Sequence, residues 1–342
     1  MKENRLVIGG AGFIGSNMAN YLLEKDINVT VLDNLSRKGS EKNIEWLKEK
    51  FKDRMKFVYG DIKDFELVKK VVKDKDVVYH FAAQVAVTNS LTDPRTDFEE
   101  NVLGTFNIVD ALRQENNDDV VLFFTSTNKV YGGMEDIEVT ESNGRYTYKN
   151  LTDGISEERN LDFHSPYGCS KGAADQYVRD FGRIYGFKSV VFRMSCIYGT
   201  RQFGNEDQGW VAHFIISSYL GKNLIIYGDG KQVRDILYID DLLRAFEMAL
   251  EKIDITGGKI YNIGGGRENT ISLLELIDYI EKILGKKVNF SFDSWRPGDQ
   301  KVYVSNILKA YNDFGWKPSI SRETGIMKLF NWVKENKSIF EI

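Results

Sequence analysis

Short apolar runs alternate with amphipathic segments through the first half of the chain. The apolar runs predict strands at RLVIGG, NVTVLDN, MKFVYGDI, DVVYHFAA, VVLFFTST and SVVFRMSCIYG. Between them, apolar residues at helical spacing predict helices, among them Phe13 to Lys25 and Lys42 to Phe51. Strands that are apolar at nearly every position, with helices between them, are typical of a parallel sheet covered on both faces. The pattern therefore predicts a doubly wound α/β fold.

The alternation becomes less regular after about residue 199. Further strands are predicted at NLIIYGDG, RDILYIDD, KIYNIGG and KKVNFSF, and helices near 208–221, 240–252, 272–284 and 305–314. We expect residues 1–195 with about 234–262 to form a dinucleotide-binding domain, and about 196–233 with 263–342 to form a smaller C-terminal α/β domain for the substrate. Ligands of open parallel sheets bind at the carboxyl ends of the strands, so the second domain is expected to close a cleft there.

The composition restricts the classes of function. The chain has 342 residues, of which 42% are hydrophobic, and its formal net charge of −4 does not predict a nucleic-acid surface. Cys169 and Cys196 are too few for a disulfide framework and fit a reducing compartment. The apolar windows are too short for a bilayer, and the first strand begins too early for a signal peptide. His80, His164 and His213 are scattered, so no metal is expected. We predict a cytoplasmic protein without a membrane partner.

A glycine-rich loop, GGAGFIG, lies between the first predicted strand and the first helix. Gly9, Gly12 and Gly15 permit a tight turn, and the helix N-terminus offers N–H groups to a pyrophosphate. Asp33 ends the second predicted strand, where a carboxylate accepts hydrogen bonds from the adenosine ribose and repels a 2′-phosphate. The combination predicts a dinucleotide site that favours NAD over NADP, although Arg37 is placed where it could contact a 2′-phosphate.

Tyr167 and Lys171 are four residues apart in SPYGCSK, so a helix places them on one face. An ammonium group beside a phenol stabilises the phenolate and lowers the pKa of the tyrosine. Such a tyrosine can take a proton from a sugar hydroxyl as hydride leaves the carbon. Thr127, at the end of the predicted strand VVLFFTST, is expected to hydrogen-bond the same substrate oxygen. We predict that these three residues are catalytic.

Nearly the whole chain resembles the extended short-chain dehydrogenase/reductase family of nucleotide-sugar epimerases and dehydratases. The resemblance is carried by GGAGFIGSN, LDNLSR, GDI, HFAAQ, NVLGT, TSTNKVYG, SPYGCSK, QVRDILYIDD and RPGD. It implies a Rossmann domain that holds NAD, a smaller domain that holds a nucleotide diphosphate-sugar, the same catalytic trio and a homo-oligomer. The positions that it implies for NAD are Gly9, Gly12, Phe13, Ile14, Gly15, Asp33, Asn34, Ser36, Arg37, Asp61, Ile62, Phe81, Ala82, Ala83, Asn101, Tyr167 and Lys171.

The same resemblance implies substrate contacts in the second half of the chain. Arg234 in QVRD and Arg296 in RPGD match ligands of the diphosphate, for which a planar guanidinium group is well suited. The full predicted set for the substrate is Asn128, Lys129, Cys196, Arg201, Arg234 and Arg296.

At Asn128-Lys129 the chain departs from the dehydratases of the family, which carry Asp-Glu or a glutamate alone there. Elimination needs a carboxyl group at this place to move a proton, and an amide cannot replace it. Oxidation and re-reduction of one carbon remain, so the resemblance implies an epimerase that keeps its NAD throughout. Lys129 is expected to donate a hydrogen bond to the sugar, or else to face solvent.

A narrower resemblance, in STNKVYG, FHSPYGCSKGAADQYVRD, RMSCIYGTRQFG and EDQGWVAHF, is to epimerases that invert C2 of a CDP-linked dideoxyhexose. Cys196 stands where most sugar 4-epimerases have an asparagine, which suits a different presentation of the sugar. Three alternatives stay open. They are a 4-epimerase of a UDP- or CDP-hexose, epimerisation beside a C3 ketone with Lys129 as base, and a non-catalytic NAD-sensing module.

Overall fold

The computed structural model of the chain describes residues 3–115, 119–296 and 298–340. The strands are β1 (Asn4–Ile8), β2 (Asn28–Asp33), β3 (Met55–Tyr59), β4 (Val77–His80), β5 (Val121–Thr127), β6 (Val139–Ser142), β7 (Arg145–Tyr148), β8 (Lys188–Met194), β9 (Cys196–Tyr198), β10 (Leu224–Tyr227), β11 (Val233–Tyr238), β12 (Lys259–Ile263), β13 (Thr270–Ser272), β14 (Phe290–Asp293) and β15 (Val302–Tyr303). The α-helices are α1 (Phe13–Glu24), α2 (Ser40–Phe51), α3 (Phe65–Val72), α4 (Val87–Thr92), α5 (Pro94–Phe98), α6 (Gly104–Glu115), α7 (Pro166–Tyr185), α8 (Trp210–Tyr219), α9 (Ile239–Glu251), α10 (Ile253–Thr256), α11 (Leu273–Leu284), α12 (Leu308–Phe314) and α13 (Arg322–Glu335).

Seven strands form one sheet in the order β12-β8-β5-β4-β1-β2-β3, and all neighbouring pairs are parallel. Alternate residues of a strand enter opposite cores. Val7 and Phe123 lie in one buried cluster, whereas Leu6 and Leu122 lie in the other. Both faces of the sheet are therefore covered, which explains why its strands are apolar at nearly every position. The predicted Rossmann-type fold is confirmed.

The strand order reverses beside β1, because β2 and β3 lie on one side of it and β4 and β5 on the other. Loops that leave β1 and β4 at their carboxyl ends must therefore diverge, and the space between them is the usual ligand crevice of such sheets.

The smaller part of the fold is built on a mixed sheet in which β13, β11 and β15 are neighbours and β9 also pairs with β11. The single strand predicted at SVVFRMSCIYG is in fact two strands, β8 and β9, separated at Ser195. The Ser195 N–H donates to Ile263 O of the large sheet at 3.1 Å, while its Oγ donates to Asp235 of the small sheet. The chain therefore crosses from the large sheet to the small sheet at Ser195.

Other elements were not predicted from the pattern, namely the hairpin of β6 and β7, the short strands β13 and β15, and the helix α13. Strand β11, which the predicted boundary assigns to the dinucleotide-binding part, pairs within the small sheet, although β12 completes the large one. The division into two domains stays a prediction. Within the described ranges, none of the helices has the length and apolar character needed to cross a membrane.

Candidate active site

Two cavities, of about 330 Å³ and about 310 Å³, adjoin at Val85, Asp207 and Gln208, which line both. The first cavity lies at the carboxyl ends of β1 to β4, where the strands run into loops that begin near Gly9, Asp33, Gly60 and Phe81. The second lies beyond the end of β5 and faces the small sheet. Together they form one cleft at the edge of the sheet where ligands of parallel α/β proteins bind.

The glycine loop brings its backbone close to neighbouring chain segments. Gly9 has φ +76°, and a Cβ there would lie 2.5 Å from Ala82 N, while a Cβ on Gly15 would lie 2.1 Å from Gly9 O. Only glycine fits these two positions. Gly12 precedes α1 without a side-chain cap, and the first turn of this helix has no acidic residue. This uncapped helix N-terminus lines the first cavity and fits a pyrophosphate.

Asp33 holds the glycine loop in place at the end of β2. Its Oδ2 accepts a hydrogen bond from Ala11 N at 2.9 Å, and its Oδ1 accepts one from Leu35 N at 2.8 Å. Burial raises the pKa of this carboxyl, and the backbone N–H groups oppose that shift. Each oxygen keeps a further lone pair, so the ionised group can also accept ribose hydroxyls.

Arg37 lines the first cavity and donates to the side chain of Gln208, in the segment between β9 and α8. Asp207 of the same segment accepts from Thr88 Oγ1 at 3.0 Å and lies 3.4 Å from Arg296 Nη2 in the second cavity. Residues 204–209, here called the bridging segment, therefore contact both cavities. Neither Asp207 nor Gln208 was predicted from the sequence to have a role, although both lie in the EDQGWVAHF motif.

The structure gathers most of the residues predicted for NAD. All of the predicted positions from Gly9 to Ala83 line the first cavity. Asn101 does not line it. Its buried amide donates instead to Gln84 O, Asp97 Oδ1 and Ser170 Oγ, each at 3.1 Å. It therefore supports the region behind the cavity rather than its wall.

Thr127 and Tyr167 meet at the near end of the second cavity. Thr127 ends β5, and its Oγ1 accepts from Lys129 N at 3.2 Å, which starts a short turn over Asn128–Tyr131. Tyr167 lies in the first turn of α7, which begins after the capping residue Ser165. The Tyr167 side chain is close enough to Thr127 for that residue to lower the pKa of the phenol. The two hydroxyl groups are thus directed to one place in the cleft.

Lys171 is buried one turn further along α7, with its Nζ 4.2 Å from the centroid of the Phe124 ring. Burial lowers the pKa of this ammonium group to about 7, while Asp175 and Asp97 oppose the shift. A group with this pKa exchanges its proton near neutral pH.

Tyr167 differs from the expectation that Lys171 lowers its pKa. Burial raises the pKa of the Tyr167 phenol to about 12, and the neighbouring Thr127 offsets this only in part. Desolvation disfavours the charged forms of both Tyr167 and Lys171 and is the largest cause of each pKa shift.

Lys129 points into the second cavity rather than into open solvent, since its side chain is only 22% exposed. Its Nζ donates to Gly298 O at 3.3 Å and lies 3.9 Å from Asp299 Oδ1. Arg234 Nη2 donates to the same Asp299 oxygen at 2.6 Å. Burial lowers the pKa of the Lys129 ammonium, and Asp299 opposes that shift.

Three further predicted substrate residues lie in the wall of the second cavity: Asn128, Cys196 and Arg296. Trp210 Nε1 donates to Cys196 Sγ at 3.4 Å, and the Arg296 guanidinium stacks 3.9 Å from the Tyr227 ring centroid. Pro297 of the RPGD motif lies outside the described residues.

Arg201, also predicted for the substrate, lies elsewhere. It lines the first cavity, and its guanidinium is 3.9 Å from the centroid of the Trp46 ring. Its positive φ of 65° and this stacking direct it toward the cofactor side. The apolar part of the second cavity includes Trp210, Phe214 and Leu273, which the sequence analysis did not single out.

The chain is similar to known proteins over nearly its whole length. The model of the GDP-mannose 4,6 dehydratase family matches residues 6–329. The CDP-paratose 2-epimerase of Salmonella typhi is 42% identical over 334 residues, which are 96% of this chain and 98% of that protein.

Solved structures give the same result for the fold. A UDP-glucose 4-epimerase of Thermotoga maritima, solved with UDP-glucose, has a TM-score of 0.84 at 29% identity and covers 98% of this chain and 99% of its own. A UDP-glucuronic acid 4-epimerase of Bacillus cereus, solved with UDP-glucuronic acid and NAD, has a TM-score of 0.83 at 29% identity, with 97% and 99% covered.

Proposed function

The chain belongs to the GDP-mannose 4,6 dehydratase family, and from this premise we propose that it is an NAD-dependent nucleotide-sugar epimerase. The observation that carries the proposal is the presence of Thr127 and Tyr167 together with Asn128 and Lys129 in the second cavity. This site can remove a proton from a hydroxyl group, but it has no carboxyl group beside the threonine for elimination.

NAD is held by the first cavity, in which the N-terminus of α1 faces the pyrophosphate and Asp33 accepts the ribose hydroxyls. When bound, NAD accepts a hydride from the sugar carbon and returns it. The solved UDP-glucuronic acid 4-epimerase, which contains NAD, supports this assignment.

Tyr167 acts as a phenolate, which Lys171 and Thr127 stabilise, and becomes a phenol when it takes the proton of the sugar hydroxyl. Because burial raises the pKa of Tyr167 to about 12, the resting phenol must first lose its own proton to solvent, and the positive charge of Lys171 favours that loss. Return of the proton from Tyr167 to the same oxygen completes the exchange. Lys129, beside them in the cavity, donates a hydrogen bond to the sugar oxygen.

Elimination is further disfavoured because Asp299, the carboxylate that faces Lys129, is ionised. Although burial acts in the opposite direction, Arg234 and Lys129 hold the pKa of Asp299 below its ordinary value. An ionised carboxylate that already accepts from Arg234 Nη2 at 2.6 Å has no proton to give to a leaving hydroxyl.

The inverted carbon is C2, and the substrate is a CDP-dideoxyhexose, so that CDP-paratose gives CDP-tyvelose. Two observations support this choice. The Salmonella typhi relative is named a CDP-paratose 2-epimerase. Cys196, whose Sγ accepts from Trp210, offers no amide group to the diphosphate region. Arg234 and Arg296, which both line the second cavity, then contact the diphosphate.

The test is incubation of the purified protein with CDP-paratose, followed by proton NMR of the sugar ring, with UDP-glucose, UDP-glucuronic acid and CDP-glucose in parallel. The expected result is equilibration of the C2 configuration of CDP-paratose alone, without added NAD and without net formation of reduced cofactor. Turnover of the 4-hydroxy sugars alone would establish the second candidate, a 4-epimerase, which the likeness to the Thermotoga maritima structure favours.

Two other mechanisms make different predictions. Epimerisation beside a C3 ketone, with Lys129 as base, exchanges the C2 hydrogen with solvent, whereas direct hydride return does not. We therefore expect no deuterium at C2 when the reaction runs in D2O. A non-catalytic NAD sensor would turn over none of the sugars, and its affinity for NAD would not depend on Tyr167.

We also propose that the protein is a cytoplasmic homo-oligomer. Two cysteines in 342 residues fit a reducing compartment. Tyr177, Ile184 and Tyr185 of α7 are exposed beside Phe106 of α6, a face that a second copy could cover. Light scattering of the purified chain tests the oligomeric state.

A further inference from the structure

Lys129 links two parts of the active site that are far apart in the chain. Its N–H donates to Thr127 Oγ1 at 3.2 Å, and its carbonyl oxygen would lie 3.0 Å from a Cβ on Gly168, the residue after Tyr167. Its backbone is therefore fixed against the hydroxyl groups that take the substrate proton. Its side chain, in contrast, reaches across the cavity to Gly298 and Asp299.

The segment that carries Asp299 is itself held at a defined distance from Lys129. Gln300 Nε2 donates to Gly132 O at 2.5 Å, in a buried hydrogen bond just beyond the turn that contains Lys129. Gln300 N also donates to Asp299 Oδ1 at 3.1 Å. Neither end of the contact between Lys129 and Asp299 is thus free to move away, although the two residues are 170 positions apart in the sequence.

The Asp299 carboxylate is placed between two cations. Its Oδ1 lies 2.6 Å from Arg234 Nη2 and 3.9 Å from Lys129 Nζ, and all three side chains line the second cavity. The exposed fractions of the side chains are 9% for Arg234, 22% for Lys129 and 23% for Asp299. Solvent screens such partly buried charges less than surface charges, so the carboxylate influences where and in which protonation state the lysine rests.

We propose that Asp299 is a positioning residue, which holds the Lys129 ammonium group in the cavity that Thr127 and Tyr167 also line, and so acts on the reaction through Lys129. This inference rests on the proposed epimerase function. It also gives the carboxylate of the RPGD motif a task that depends on the lysine of this chain, since a glutamate at position 129 would repel Asp299.

The charged and titratable groups that face Lys129 determine the direction in which Asp299→Asn shifts the pKa of the lysine. Asp299 favours the ammonium form, Arg234 disfavours it, and burial raises the pKa of the Cys196 thiol, which therefore stays neutral. Burial already lowers the pKa of Lys129. Replacing Asp299 by an amide removes the largest favourable charge among them, so the lysine should lose its proton at a lower pH.

The experiment compares the wild type with Asp299→Asn, Lys129→Met and the double variant, and uses Asp254→Asn as a matched control. Asp254 forms an exposed ion pair with Lys188 at the start of β8, the end of the strand opposite the cleft, and its amide variant should behave as the wild type. For each protein we would measure kcat and KM for CDP-paratose as functions of pH, and the bound NAD.

The Lys129 ammonium group is followed by NMR after reductive methylation of the lysines with ¹³C-formaldehyde. Its dimethylammonium signal is identified as the one that is absent from Lys129→Met. The expected result for Asp299→Asn is a titration of this signal at lower pH, and a fall in kcat of about tenfold near pH 8, equivalent to about 1.4 kcal/mol. In the Lys129→Met background the same change should leave kcat unaltered. Bound NAD should not change in any variant.

Two results would overturn the inference: an unshifted Lys129 signal in Asp299→Asn, or an equal loss of kcat in the presence and absence of Lys129. The second result would mean that Asp299 acts only through Arg234, in binding of the diphosphate. If the wild type turns over no nucleotide sugar, the proposed function fails instead, and the NMR titration still decides whether Asp299 controls the Lys129 ammonium group.

Discussion

The side chains of Arg37 and Gln208 are hydrogen-bonded to each other in the wall of the first cavity. Arg37 follows β2 in the large sheet, and Gln208 belongs to the bridging segment that also lines the second cavity. The contact therefore ties the bridging segment to the cavity assigned to NAD. An epimerase that keeps its cofactor through many turnovers needs contacts that retain NAD, since release of NAD between oxidation and reduction would leave the sugar oxidised.

We predict that Gln208→Ala weakens retention of NAD by about tenfold while kcat at saturating NAD changes little. The variant removes one hydrogen bond to a charged group, worth roughly 1.5 kcal/mol or more. The measurement is the NAD that remains bound per chain after extended dialysis. Gln176→Ala, on the exposed side of α7, serves as the control. Unchanged retention in Gln208→Ala would show that the bridging segment does not hold the cofactor.

For Tyr167→Phe we expect kcat to fall by about 10³-fold, within the range of general acid–base catalysis, because the proton acceptor is lost. The ring remains, so packing and bound NAD should persist. Rates measured by NMR check the expected fall in kcat, and the absorbance of bound NAD checks that the cofactor persists. Residual turnover within tenfold of the wild type would mean that another group takes the proton.

Lys129→Met should lower kcat by about 100-fold, as removal of a donor aimed at developing negative charge does in other enzymes. Methionine retains much of the volume of the lysine, and the cavity assigned to NAD is the neighbouring one, so bound NAD should be unaffected. Lys231→Met, which removes an exposed lysine paired with Glu141, is the control. Wild-type turnover of Lys129→Met would exclude a role of the ammonium group.

Burial of Lys171 predicts a pH dependence of stability. Its pKa falls from 10.5 in the unfolded chain to about 7 in the folded chain. Below about pH 7 both states carry the proton, so the folded state bears the full cost of a buried charge. Between these two values the folded state sheds the proton first, and the wild type gains stability as the pH rises.

Lys171→Met should therefore be more stable than the wild type at about pH 6, by an amount that decreases toward about pH 9. Urea unfolding at both pH values measures the difference, with the exposed Lys334→Met as control. A difference that is constant with pH would indicate that Lys171 keeps an ordinary pKa.

Much of the first cavity could be predicted from the sequence because its features are local. The glycine loop and Asp33 each act where a strand ends, and the residues that follow a parallel strand reach the same edge of the sheet. The same holds for Tyr167 and Lys171, which one helix places on one face. Such short-range rules need only the positions of the elements.

The second cavity depends on contacts that no local pattern contains. Lys129 meets Asp299, and Arg37 meets Gln208 from 171 residues away, so neither pair could be inferred from spacing. The pKa of Tyr167 was misjudged for a related reason. The sequence shows the neighbouring charge on the helix, but not the depth of burial that outweighs it.

The contact between Lys129 and Asp299 also predicts what position 129 tolerates. Lys129→Glu would set a carboxylate opposite Asp299 Oδ1, which now lies 3.9 Å from the ammonium group. Two like charges in this half-buried cavity repel each other, and one of them must take up a proton or move away. We expect Lys129→Glu to lower kcat about tenfold more than Lys129→Met does, and Asp299→Asn in the same chain to restore that additional loss. The measurement is kcat for CDP-paratose in the four combinations of the two positions. If Asp299→Asn does not restore kcat in the Lys129→Glu variant, the Asp299 carboxylate does not interact with the charge at position 129. The arrangement of Lys129, Asp299 and Arg234 would then not explain why this chain carries a lysine there.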